Sequence, residues 1–122
     1  MRVHVGIPWR AGDPWREQAF AYVQIHLRGA GLDPVPYDNG ADIFSRAGSR
    51  NLAVRCADAD VVILHDADMV MPAAAYLEAA ELALSSDRLV IGFSRYRPLS
   101  KARTVEAFAG SDPFTLDPVD EL

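Results

Sequence analysis

Apolar and polar positions change period several times along this chain, and each change predicts an element. Residues 3–7 alternate and are rich in β-branched side chains, which predicts a strand ending at Pro8. Asp13-Pro14 marks a helix start, since Asp caps well and Pro suits the first helical position. Phe20, Val23 and Leu27 then recur at helical spacing, and Gly29 and Gly31 close the helix. Residues 34–37 predict a second strand, an edge candidate because it carries two prolines. The turn cluster Asp38-Asn39-Gly40 follows. Residues 45–57 predict a helix with Leu52, Ala53 and Cys56 facing inward. Residues 61–64 are unbroken in their apolarity, which predicts a central strand. Pro72 starts a further helix with Ala73, Leu77, Ala80 and Leu84 as its buried stripe and Glu78 and Glu81 outside. Residues 88–93 predict a fourth strand. After Ser94 the pattern weakens, with one or two helical turns expected over 104–109. The tail from Ser111, with two Asp-Pro steps and four acidic residues, is expected to be extended or mobile.

Strands alternating with helices predict an α/β fold. The expected form is three-layer and Rossmann-like, with a mainly parallel sheet of about four strands and helices on both faces. Residues 1–110 are expected to form one domain and residues 111–122 an acidic tail. Ligands of such sheets bind beyond the carboxyl ends of the strands. Pro8, Asp38 and Asp66 all fall at such ends, so three separate loops should converge on one edge.

Composition narrows the function classes. With 122 residues, half of them hydrophobic, one ordinary core is feasible. A net charge of −5 argues against a general nucleic-acid binder, which needs a basic footprint. Cys56 is the single cysteine, so no internal disulfide is possible and a reducing, cytoplasmic compartment is expected. Met1-Arg2-Val3-His4-Val5 already reads as strand, so no signal peptide is expected, and no apolar run approaches the length of a membrane span.

The densest chemistry lies in Leu64-His65-Asp66-Ala67-Asp68. Two aspartates one residue apart, just after an apolar strand, are costly to crowd together unless a cation neutralises them. Magnesium and manganese take hard oxygen ligands, one or two carboxylates plus substrate phosphates and water, so Asp66 and Asp68 are candidate metal ligands. The plainer alternative leaves Asp66 solvated and Asp68 capping a turn before Pro72. Arg46 and Arg50, four apart near a helix start, share a face that suits phosphate; a solvated basic face paired with nearby acids is the alternative. After the first strand, Arg10 is placed to reach a phosphate or ribose. Trp9 fits either a nucleotide base or the rim of the core. Asp38 fits a hydrogen bond to base or ribose, or an Asx turn with Asn39-Gly40. His65 fits a place beside the metal or a structural role behind it. His4 and His26 show no partner spacing, Met69 and Met71 read as packing, and Cys56 reads as buried filler. The basic residues Arg95, Arg97, Lys101 and Arg103 read as an exposed connector, or as a lid over a diphosphate.

Together these pieces resemble the nucleotide-sugar half of GT-A fold glycosyltransferases, in particular the galactosyltransferases, the chondroitin-type polymerases and the wider family-two enzymes. The likeness rests on Ile7-Pro8-Trp9-Arg10 after the first strand, on Phe44-Ser45-Arg46-Ala47 with Asn51 following, and on Asp66-Ala67-Asp68 before Pro72, in the family's order. It covers roughly residues 2–93, as a truncated form of that fold. The resemblance implies that Pro8 and Arg10 line the nucleotide pocket and that Asp38 touches base or ribose. It implies that Arg46 and Arg50 bind nucleotide or sugar, and that Asp66 and Asp68 hold manganese or magnesium on the diphosphate. Trp9, Asn51 and His65 complete the expected binding set.

The expected activity is metal-dependent transfer of a sugar from a nucleotide sugar, commonly a UDP-sugar, to an acceptor that the sequence does not identify. Family members continue into an acceptor-binding region that supplies the acidic base in inverting enzymes. The late acids Asp112, Asp117, Asp120 and Glu121 fall in no such motif, so no catalytic residue is assigned. Two alternatives follow. One is a nucleotide-sugar-binding module without turnover. The other is a nucleotidyltransferase, which needs a Gly-rich basic loop that Gly12 alone supplies poorly. Exposed core edges lead to an expectation of self-association into a homo-oligomer.

Overall fold

In the computed structural model, which describes residues 1–119, the chain divides into two compact units, Met1–Val90 and a second beginning at Ile91. The first unit is α/β. Its elements are β1 (Val3–Pro8), α1 (Pro14–Gly29), β2 (Pro34–Tyr37), α2 (Arg46–Cys56), β3 (Val61–Leu64) and α3 (Ala73–Ser86). The second carries α4 (Lys101–Phe108). Among the described residues the sheet has three strands, all parallel, in the order β2-β1-β3.

Register follows from side-chain alternation. Val5 pairs with Pro34 on one side and Ile63 on the other, so Val5 and Ile7 point to the same face and are fully buried there. Against them pack Phe20, Val23 and Leu27 of α1, Tyr76 of α3, and Ala67. The predicted α1 stripe is thus the core stripe, and burying each of its large side chains stabilises the fold by about 1.5–3 kcal/mol. Asp13 caps α1 by accepting from the Trp15 N–H at 2.9 Å, as its place before Pro14 predicts.

The opposite face is built from small residues. Gly6 of β1 lies under Ala53 of α2, and a Cβ added at Gly6 would come within 2.7 Å of the Ala53 Cβ. Ser49 and Ala53, four apart and both fully buried, bring α2 down onto the sheet. Helices therefore cover both faces, as expected for a three-layer α/β arrangement.

Four sequence expectations need correction. Residues 88–93 form no strand: Leu89 is 94 % exposed and Ile91 72 %, with no ladder to hold them. β3 is consequently an edge strand rather than the central one, that place belonging to β1, and Leu64 at its end is exposed. α3 is rotated from its predicted stripe. Tyr76 and Ala80 are buried, whereas Leu77 and Leu84 are half-exposed, because the Tyr76 hydroxyl is drawn inward by two hydrogen bonds. Cys56 is exposed, since the sheet-facing stripe of α2 is made by Ser49 and Ala53 and the helix ends at Cys56.

In the second unit, Ser100 caps α4 by accepting from the Arg103 N–H. Residues 112–115 make an Asx turn, the Phe114 N–H donating to Asp112 Oδ1 at 3.0 Å. The Val119 N–H donates to the Pro98 carbonyl at 2.8 Å, so the described part of the tail folds back along its own unit. Asp120 and Glu121 lie outside the described residues. No helix among the described residues is long and apolar enough to cross a membrane.

Candidate functional site

Parallel strands deliver their carboxyl ends to one edge, and here three loops leave that edge. The first, after β1, carries Trp9 and Arg10. The second, between β2 and α2, carries residues 38–45. The third, between β3 and α3, carries residues 65–72.

The first two loops are joined by one guanidinium. Arg10 donates from Nε to Asp38 Oδ2 at 2.6 Å and from Nη2 to Asp38 Oδ1 at 2.8 Å, a bidentate pair. Nη2 also donates to the Ala41 carbonyl at 2.6 Å, and Nη1 to the Asp42 carbonyl at 3.3 Å. The same group lies 5.6 Å from the Phe44 ring centroid. Asp38 also accepts from the Gly40 N–H at 2.9 Å, where Gly40 takes the positive φ of 80° that glycine tolerates. The guanidinium beside it, then the Gly40 N–H, hold the Asp38 carboxyl down to about 2. The Asx turn open to Asp38 from sequence is thus present, and its carboxylate is held internally by Arg10. Arg10 and Asp38 fasten the 38–42 loop to β1.

That loop in turn seats the start of α2. The Asn39 N–H donates to Ser49 Oγ at 3.3 Å, and Ser45 caps the helix by accepting from the Gly48 N–H at 3.0 Å. Arg46 stands exposed at the first turn, where unpaired backbone N–H groups already favour anions. Arg50 follows one turn later and crosses to the third loop, donating from Nη2 to Asp66 Oδ1 at 2.8 Å. Asn51 is exposed.

The third loop holds the acidic pair. Ala67 is buried in the core between half-exposed Asp66 and exposed Asp68, so it anchors the loop and leaves both carboxylates at the surface. Asp66 Oδ2 and the Asp68 carboxylate have no hydrogen-bond or ion-pair partner among the described residues. Also among the described residues, no three His, Cys, Asp or Glu side chains form a metal-holding group. Two carboxylates fit a hard cation that takes its remaining ligands from phosphate and water; they would not make an all-protein cage.

His65 lies behind this pair, buried. A carbonyl only accepts, so His65 Nδ1–H donates to the Asp66 carbonyl at 2.6 Å, and Nε2 accepts from the Tyr76 hydroxyl at 2.9 Å. Burial pushes the imidazole below its ordinary value, and this neutral tautomer satisfies every partner. Of the two roles open to His65 from sequence, the contacts are those of the structural one. Trp9 likewise packs at the core rim, its ring stacked on Phe20 at 4.3 Å with the Arg16 guanidinium 5.7 Å from its centroid. Pro8 is buried beside Tyr37 in the ladder.

Sequence reasoning missed three contributors. Tyr76 sits in an Ala/Leu-rich helix where a lone phenol reads as core. His26, given no role, donates from Nε2 to the Met71 carbonyl at 2.6 Å. Ser49, which no pattern in the sequence singles out, is fully buried and accepts the Asn39 N–H. The usable signal was a Tyr and a His on helices flanking an acidic loop, each able to reach its backbone. His4, also unassigned, is hydrogen-bonded to the Tyr37 hydroxyl at 2.7 Å. A separate groove of about 430 Å³ opens where the strands begin, lined in part by Met1, Val3 and Leu32. It lies at the opposite strand ends from the acidic loop, with Asp33 and the buried Tyr76 as the polar side chains in its wall.

Comparison with protein-family models, with curated proteins and with solved structures finds no match to this chain.

Proposed function

We propose that this protein binds a nucleotide diphosphate, as part of a nucleotide sugar, through a divalent cation held by Asp66 and Asp68, and that it transfers the sugar to an acceptor. The observation that carries the reading is the acidic loop itself. Two surface carboxylates leave the carboxyl end of a parallel strand, anchored by a buried alanine between them, with an arginine already at hydrogen-bond distance. Asp66 Oδ2 and Asp68 would hold the cation, manganese or magnesium. When bound, the cation neutralises charge that grows on a departing diphosphate. Arg46 and Arg50 serve the phosphates, Arg46 from the helix start and Arg50 by turning from Asp66 towards the incoming anion. The loop fastened by Arg10 and Asp38 forms the wall on which base and ribose rest. The likeness to GT-A fold glycosyltransferases in the order of the three motifs supports a UDP-sugar as donor.

A second reading is favoured by the Arg50–Asp66 pair. An arginine that already neutralises one carboxylate weakens the hold on a cation, which suits a module that binds a nucleotide sugar without turning it over. Incubation with UDP-hexoses and manganese separates the two. Release of UDP, by hydrolysis or transfer and lost in Asp68→Asn, supports the transferase. Metal-dependent UDP binding with no release supports the binding module. Absence of binding removes both.

A further inference from the structure

The loop that carries Asp66 and Asp68 is closed by a single side chain from outside it. The Tyr76 hydroxyl accepts the Met71 N–H at 2.9 Å and donates to His65 Nε2 at 2.9 Å, so one phenol ties the loop's last residues to its first. His65 is fixed at two further points. Its backbone N–H donates to the Gly6 carbonyl at 2.9 Å, continuing the ladder to β1, and its Nδ1–H donates to the carbonyl of Asp66. Both backbone polar groups of Met71 are held, the N–H by Tyr76 and the carbonyl by His26 of α1. Tyr76 itself is 1 % exposed and its ring packs in the main core, so it cannot move without the core moving.

We propose that Tyr76 is the positioning residue of the acidic loop: it closes residues 65–71 into a fixed bracket and so sets the separation at which Asp66 and Asp68 meet a cation. The proposal rests on the metal reading above. It assigns to Tyr76 a role that touches neither metal nor nucleotide. Outer partners of this kind orient the ligands of a cation, and their loss weakens metal affinity about 10- to 100-fold.

Tyr76→Phe keeps the ring and removes only the oxygen. Manganese alone is the probe, followed by electron paramagnetic resonance of the free ion, with backbone amide exchange as a second readout. The expected result is manganese affinity about 10- to 100-fold weaker than wild type, with faster exchange confined to residues 66–71. Val23→Ala is the control, since it thins the same core from α1 and removes none of the hydrogen bonds that hold the loop. It should lower stability and leave both readouts unchanged. His65→Asn approaches the bracket from its other end. It keeps a donor for the Asp66 carbonyl, loses the link to Tyr76, and should weaken manganese binding in the same direction even where Tyr76→Phe fails to fold. Wild-type affinity in Tyr76→Phe or in folded His65→Asn overturns the proposal, as does an equal loss in Val23→Ala. If the wild-type protein binds no manganese, alone or with UDP present, the metal reading falls and takes this role with it; if it binds only with UDP, the same comparison of variants is made with UDP present. If wild type binds and the Tyr76 and His65 variants bind equally well, only the bracket falls.

Discussion

Arg50 and Asp66 make opposite demands on one site, and that gives a prediction with two signs. The Arg50 guanidinium neutralises Asp66 in the free protein and is proposed to serve a phosphate in the bound one. Arg50→Gln should therefore tighten manganese alone, by removing a like charge, and weaken UDP in the presence of manganese. An ion pair this exposed contributes little to folding, so thermal stability should change hardly at all. Titration calorimetry of each ligand checks both signs; loss of both affinities together would contradict the exchange. Asp38 carries the pH prediction. Its carboxyl is depressed to about 2 in the folded protein by Arg10 and the Gly40 N–H, so the unfolded chain binds the proton more readily. The stabilisation is fully present above the unfolded value of 3.8 and is lost as pH falls through about 2. Carboxyl-carbon resonances should give Asp38 a midpoint near 2, and Arg10→Gln should move it up towards 3.8. An unmoved midpoint would contradict the clamp. The residue types at this edge could be read from sequence, because acids and arginines next to strand ends are conspicuous. Their pairing could not, since Arg10 and Asp38 meet only through the parallel register of β1 with β2.

At the scale of elements, α1 was legible in full, because Phe20, Val23 and Leu27 all face one core and Asp13-Pro14 states where the helix begins. α3 was legible as a helix but not in its rotation. Its sequence has apolar residues on nearly every face, so periodicity alone left several stripes open, and the Tyr76 hydrogen bonds chose among them. Residues 88–93 have the composition of a strand but lack a ladder, which no local pattern can reveal. The packing of α2 on β1 depends on Gly6, where a methyl group would meet the Ala53 Cβ and the Tyr37 ring. Gly6→Ala should destabilise the protein by about 1–3 kcal/mol through overpacking. Urea unfolding checks this; wild-type stability would show that α2 is free to lift from the sheet.

For the whole molecule, the chain is an α/β sheet unit followed by a smaller helical one, and the candidate site residues all lie on the first. The α/β class could be read from alternating strands and helices. The strand count could not, because the sheet stops at β3. Among the described residues β3 is an edge strand with Leu64 exposed at its end, the feature that supports the proposal of self-association. Light scattering over a range of concentrations should show a mass above that of one chain; one chain's mass throughout would contradict it. The central claim is that Asp66 and Asp68 bind a nucleotide diphosphate through a cation, and titration calorimetry of UDP tests it most directly. Manganese should produce a binding isotherm that is absent in chelator, and Asp66→Ala should abolish it. Binding of equal strength with and without manganese, or binding that survives Asp66→Ala unchanged, would contradict the account.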